Sequence, residues 1–337
     1  MKHLSFCILS ILGLGLAACS EEKYVLDVYS TMRYDVLRLP TAADTMALQT
    51  VDFATTRDGF VGGDNGALFA TADGGQTWTR RSSPTTGTIY KLLFTSATAG
   101  WAGTGSGLFR TSNGGQTWQY VPTYNVFGST GDAIYDLQFV TPQVGYAVGS
   151  SGSINKTTNG GSTWTPVQFR RDKAYTFRAV SFTSPDSGSV VGANYSHWCT
   201  TNGGSTWTWL DQSTGTPNST IYDVLRFNDQ TYLQAGPRGF EAFETSQSYA
   251  YTPDERYGFT IYGLASAGRK GPAIAVGQRS IIRRHPEFST SQHTPWVYVH
   301  APDGTSYKAT YIAADFADPT TFYAVGTRGI VHRFHYQ

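Results

Sequence analysis

Short runs of apolar residues recur along the chain at nearly constant spacing, and their last residues repeat. One series ends in phenylalanine: Val51-Asp52-Phe53, Leu92-Leu93-Phe94, Leu137-Gln138-Phe139, Val180-Ser181-Phe182, Leu225-Arg226-Phe227 and Ala314-Asp315-Phe316, with Ile261 to Ala265 filling the same place without its Phe. A second series runs into a glycine before a tight turn, at Gly63, Gly103, Gly149, Gly192, Gly236, Gly277 and Gly326. Runs this short, rich in β-branched and aromatic residues and bounded by turn residues, predict strands rather than helices. Both series give seven repeats of roughly 45 residues.

Each repeat reads as four strands. Strand a is the Phe-ending segment and strand b the run into the Gly. Strand c follows the turn, as in Gly107-Leu-Phe-Arg-Thr111. An octapeptide then makes the c–d turn and its Trp starts strand d. The octapeptide stands in four copies, Thr71 to Trp78, Thr111 to Trp118, Thr157 to Trp164 and Thr200 to Trp207. Its Asp73, replaced by Asn113, Asn159 and Asn202 in the other copies, is expected to accept hydrogen bonds from its own turn. Its glycines permit positive φ, and Trp78, Trp118, Trp164 and Trp207 are expected to pack between repeats. Repeated four-stranded units of this length predict an all-β, seven-bladed β-propeller, in which only short strand edges are left open. The last repeat stops at Gln337 without a strand d. The segment Tyr34 to Leu39 is expected to supply that strand and close the ring.

The octapeptide resembles the Asp-box, or bacterial neuraminidase repeat. The order Leu48-x-x-Val51-x-Phe53, Val61-Gly-Gly63, Leu68-Phe-x-Thr71 and Asp73-Gly-Gly-x-Thr77-Trp78 is most similar to the photosystem II assembly and stability factor family of propellers. That resemblance implies assembly factors that bind partner proteins, with an arginine-rich patch on one face.

The first residues address the chain. Lys2 and His3 precede an apolar run from Leu4 to Leu16, which ends in Leu16-Ala17-Ala18-Cys19. The run is too short for an ordinary membrane span and has the layout of an export signal. The tetrapeptide resembles a bacterial lipobox, which makes Cys19 the lipidated first residue of the mature protein. The expected organisation is a lipoprotein signal peptide over 1–18, a tether over 19–30 and a single propeller over 31–337. The expected location is the outer membrane or cell surface. Of the three cysteines, Cys7 leaves with the signal and Cys19 carries lipid, so Cys199 has no partner for a disulfide and reads as an inert, buried thiol.

The formal net charge is +1, which favours no nucleic-acid partner. The histidines show no paired metal spacing, and no cofactor motif or nucleophile elbow is present, so neither cofactor nor metal is expected. The b–c turns of the last three repeats place Arg238, Arg279 and Arg328 in one register. The starts of the a strands carry Tyr90, Tyr135, Phe177, Tyr222, Tyr262 and Tyr311, with Lys91, Asp136, Arg178 and Asp223 as charged neighbours. Around a channel mouth these residues would present forked guanidinium donors and amphipathic rings to an envelope protein, a peptide or an anionic glycan. The reading is a non-catalytic binding or assembly module. The alternative is a sialidase-like glycoside hydrolase, for which Arg38-Leu39-Pro40, Asp44 and Asp223 with Tyr222 or Tyr311 are the available groups. No catalytic residue sits in a recognisable sialidase motif.

Overall fold

The computed structural model describes residues 30–40, 46–125, 127–169, 175–210, 219–228, 231–237, 239–244, 247–251, 260–268, 271–278, 280–284, 296–300 and 309–335. Among them the strands form seven sheets, antiparallel but for one two-residue pairing in the sixth. Six have four strands, and the sixth in chain order gains a fifth. The a strands are Leu48–Phe53, Ile89–Phe94, Ile134–Phe139, Phe177–Phe182, Asp223–Arg226, Ile261–Ser266 and Tyr311–Asp318. Each a strand pairs with the b strand that ends at its repeat's turn.

The glycine series has a steric cause. Gly149 lies opposite Ile134, and a Cβ added there would sit 1.8 Å from the Ala133 carbonyl oxygen. At Gly326 the same atom would meet the Thr310 carbonyl at 1.9 Å. The tight approach coincides with a β-bulge. In six sheets the a–b register slips by one residue at the same place, leaving Gln49, Tyr90, Tyr135, Arg178, Tyr262 and Ile312 between paired neighbours. A bulge leaves its extra residue without a partner and re-aims its side chain.

The phenylalanine series joins one sheet to the next. Phe94 stacks on Phe60 of the first sheet at 3.4 Å between ring centroids, and Phe182 on Tyr146 of the third at 3.6 Å. Phe53 of the first sheet stacks on Tyr323 of the seventh at 3.7 Å. Backbone N–H groups make a second set of ties. Phe94 donates to Asp52, Val180 to Asp136 and Leu264 to Asp223, each across to the preceding sheet. Phe53 donates to Asp315 of the seventh sheet at 2.8 Å. Thr50, Gln138 and Ser181 accept in the same way from Leu92, Phe182 and Arg226. The core therefore lies between sheets, as a series of apolar clusters.

The turn chemistry of the octapeptides is as the residues suggest. Thr77 N donates to Asp73 Oδ1 at 2.9 Å, and Thr117, Thr163 and Thr206 do the same to Asn113, Asn159 and Asn202. An amide oxygen thus replaces a carboxylate oxygen without changing the turn. The Thr77 hydroxyl and N–H hold the Asp73 carboxyl down to about pKa 2. Trp78 and Trp164 are buried and pack edge-on against Phe53 and Phe139. Trp118 donates from its indole to the Ser82 carbonyl. Trp207 stands edge-on to Phe182.

The N-terminal residues reach two sheets. Arg33–Leu37 pairs antiparallel with Val331–His335 and completes four strands in the seventh sheet. Asp35 there accepts from Arg333, whose hydrogen bond holds its carboxyl below the usual range. Ser30–Thr31 pairs parallel with Val299 and His300 in the sixth sheet. Ser30, the last residue of the expected tether, is thus part of a strand.

Cys199 is half-buried rather than enclosed. Its Sγ lies 3.1 Å from Ser189 Oγ and 3.1 Å from an Arg226 guanidinium nitrogen.

Candidate binding cavity

The a strands of all seven sheets border one cavity of about 420 Å³. The bulge explains which side chains reach it. Gln49, Tyr90, Tyr135, Arg178, Tyr262 and Ile312 all line it, and Tyr222 takes the corresponding place in the fifth sheet. Tyr90 and Tyr135 meet edge to face at 4.8 Å, and Tyr222 and Tyr262 lie tilted at 5.2 Å. The Arg178 guanidinium sits over the Tyr135 ring, 4.2 Å from its centroid.

The wall beneath is charged. Lys91 pairs with Asp136 at 3.0 Å. Water still reaches part of the Lys91 side chain, but protein surrounds it. Burial pulls its ammonium pKa down, and Asp136, Asp223 and Asp52 together outweigh that, so the pKa rises. Burial pushes the Asp223 carboxyl up to about 7, helped by the charge of Asp136. Burial likewise lifts Asp315 to about 6. Asp52 rises well above the ordinary range through burial and its neighbour Asp315. Ionising all of these carboxyls at once is costly in so enclosed a space.

Of the tyrosines expected at the mouth, Tyr90, Tyr135, Tyr222 and Tyr262 line the cavity, and Tyr311 does not. Tyr311 is fully buried and its hydroxyl is 2.8 Å from His332 Nδ1. It stands one residue before the bulge, in the register of Ile89, Ile134 and Ile261, so its ring turns into the core between sheets. Ile312 has the cavity position in that sheet.

Arg328 is exposed in the turn after Gly326, beside the cavity-lining Thr327. Its φ of 63° is left-handed, the conformation that Asn65 and Asn194 adopt in the equivalent turns. Arg gains nothing locally from that geometry, which costs a non-glycine residue roughly 1 kcal/mol. Arg238 and Arg279 lie outside the described residues. Of the flanking residues, Gly236 pairs with Gly239 and Gly277 with Ser280. Gln278, between the second pair, donates to the Tyr262 hydroxyl at 3.3 Å, which places that turn at the cavity rim.

For the hydrolase alternative, Asp44 lies outside the described residues. Asp223 spends one carboxylate oxygen on Val224 N–H and the other on Leu264 N–H. Arg38 follows directly on the strand Arg33–Leu37.

The family model for the photosynthesis system II assembly factor YCF48 matches residues 26–127 and 124–225, more than half of the chain. The chain belongs to the YCF48 family. Its fold is that of the family's propellers. A structure of YCF48 bound to D1 peptide superposes with a TM-score of 0.69 at 17% identity, covering 92% of this chain and 97% of that one. YCF48 from Cyanidioschyzon merolae superposes at 0.66 with 18% identity, over 90% of this chain and 98% of that one. The WD40 repeats of RRP9 match at 0.69 with 11% identity, over 90% and 97% of the two chains, a likeness of propeller fold alone. No curated protein matches the chain by sequence.

Within this YCF48-family chain, sequence reasoning missed Gln49 and Ile312 as cavity residues, and it gave Phe177, which is fully buried, the mouth position that Arg178 holds. A usable signal was present. Each of them directly follows the first large apolar residue of its a strand, Leu48, Tyr311 or Phe177, as Tyr90 follows Ile89.

Proposed function

We propose that this protein is a non-catalytic binding or assembly module of the cell envelope, which receives a protein or peptide at the tyrosine-lined cavity. The observation that carries the reading is the convergence of Tyr90, Tyr135, Tyr222 and Tyr262 on one cavity in a chain of the YCF48 family. A relative of the same fold has been seen with a bound D1 peptide. Rings with a polar edge suit a peptide surface, because they bury much area at small entropic cost.

The proposal has three further parts. The seven sheets are the blades of a closed seven-bladed propeller, with Arg33–Leu37 as the outer strand of the last blade. The contacts of Phe53 with Tyr323 and Asp315 favour this, since they join the seventh sheet to the first. Arg238, Arg279 and Arg328 form an arc at the mouth and take acidic groups of the partner. Cys19 carries the lipid that holds the module at the outer membrane.

The test is capture from solubilised envelope, comparing wild type with a variant in which Arg238, Arg279 and Arg328 are all Ala. The variant should fold normally and lose its captured partner. Undiminished capture refutes the arginine arc.

A further inference from the structure

We infer that Arg178 is the anchor inside the cavity for a carboxylate of the peptide ligand, an inference that rests on the peptide-binding reading above. Among the described residues two cations line the cavity, and they differ. Lys91 is paired with Asp136. Arg178 has no carboxylate of a described residue within ion-pair distance, and its Nε is buried without an acceptor. A buried donor left without an acceptor is costly.

The fold does not require Arg there. The same bulge register accepts Gln49, Ile312 and three tyrosines in other sheets. What Arg178 has is a prepared geometry. Its guanidinium carbon lies 4.2 Å from the Tyr135 ring centroid, a contact that uses none of its N–H hydrogen-bonding capacity. A planar guanidinium held in this way presents two parallel donors, the arrangement a carboxylate accepts best.

The surrounding charges make this binding depend on protons. Tyr135 and Asp136 face Arg178 from the sheet before, and Tyr222 and Asp223 from the sheet after. Lys91 neutralises Asp136. Asp52 and Asp315 lie on the first and seventh sheets, away from Arg178 and outside the cavity lining. An ionised Asp223 repels an entering carboxylate, and a protonated one does not. Asp223 titrates near 7, above the range of a peptide carboxylate. Affinity for an acidic ligand should therefore rise as pH falls from 8 to 6. A cationic ligand would show the opposite slope.

The experiment uses three pools of rhodamine-labelled octapeptides of equal length, one acidic, one neutral and one basic. Each is titrated by fluorescence anisotropy into wild type, Arg178→Gln and Arg178→Lys at pH 6 and pH 8. The acidic pool should bind wild type best, and more tightly at pH 6. Arg178→Gln should weaken it by roughly tenfold or more, with Arg178→Lys between the two. Acidic peptides bound equally by wild type and Arg178→Gln overturn the role of Arg178 and leave peptide binding standing. A basic pool that binds best, tighter at pH 8, overturns the ligand class. No pool bound by wild type sinks the peptide reading and this inference with it. Should Arg178→Gln misfold by circular dichroism, the pH slope of wild type and the Arg178→Lys result still decide.

Discussion

Replacing Asp315 separates two roles that one carboxyl plays. Its Oδ2 accepts the Phe53 N–H at 2.8 Å, the tie between the seventh and first sheets. It also holds a buried proton, with a pKa near 6 in the folded protein against 3.8 for an ordinary Asp. A carboxyl with a higher pKa when folded binds its proton more tightly in the native state. Its stabilising effect is complete below about pH 4 and declines as pH rises through 6. At 1.36 kcal/mol per pKa unit, the ionised carboxylate costs the native state about 3 kcal/mol at pH 8. Asp315→Asn keeps an acceptor for Phe53 and removes the charge. It should exceed wild type by about 1.6 kcal/mol at pH 5 and by about 3 kcal/mol at pH 8. Asp315→Ala removes the acceptor as well and leaves a buried N–H unpaired, so it should fall about 1–3 kcal/mol below the Asn variant at both pH values. Urea unfolding followed by tryptophan fluorescence at both pH values reads these differences. An Asn variant whose stability falls with pH as steeply as wild type would show that Asp315 does not hold the proton. An Ala variant as stable as the Asn variant would show that the tie contributes nothing.

Two more outcomes are expected. Deleting residues through Leu37 uncovers the strand Val331–His335 and removes its five-residue ladder, so urea unfolding should show a loss of roughly 3 kcal/mol or more; unchanged stability would mean that the N-terminal strand does not close the last sheet. Cys19→Ala should abolish incorporation of radiolabelled palmitate and release the protein from membranes, and continued labelling of the variant would refute the lipobox assignment.

The repeats made the strands legible because each has a local cause that recurs. Phe53, Phe94 and Phe182 stack on the neighbouring sheet, Gly149 and Gly326 face a carbonyl too close for a side chain, and Asp73 or Asn113 folds its own turn. The pairing of the N-terminal strand was legible from a repeat that lacked its fourth strand. The cavity was legible only in part. Strands alternate their side chains with a period of two, so a reading by alternation assigns faces correctly until the period breaks. The bulge breaks it by one residue, which puts Tyr311 in the core and Ile312 in the cavity. It also turns Phe177, expected at the mouth, into the core and leaves the cavity position to Arg178. The parallel contact of Ser30–Thr31 with the sixth sheet had no periodic signal at all, being two residues long.

The acids around the cavity are more than the fold needs. Every sheet-to-sheet tie asks for one acceptor, and neutral side chains meet that need where they occur. The Thr50 hydroxyl accepts from Leu92 at 3.0 Å, the Gln138 amide from Phe182 at 2.7 Å and the Ser181 hydroxyl from Arg226 at 2.9 Å. Asp52, Asp136, Asp223 and Asp315 do the same work at the expense of a buried charge. A carboxylate in such surroundings lowers stability unless it is paired, and Lys91 pairs directly only with Asp136. The unpaired carboxyls resolve this by holding protons near neutral pH. A cavity wall built in this way changes its charge between pH 6 and 8, while the ties that hold the sheets together persist in either protonation state. The stapling role accounts for an acceptor at each of these positions, and the second carboxylate oxygen lets Asp136 and Asp223 accept the N–H of Leu137 and Val224 as well.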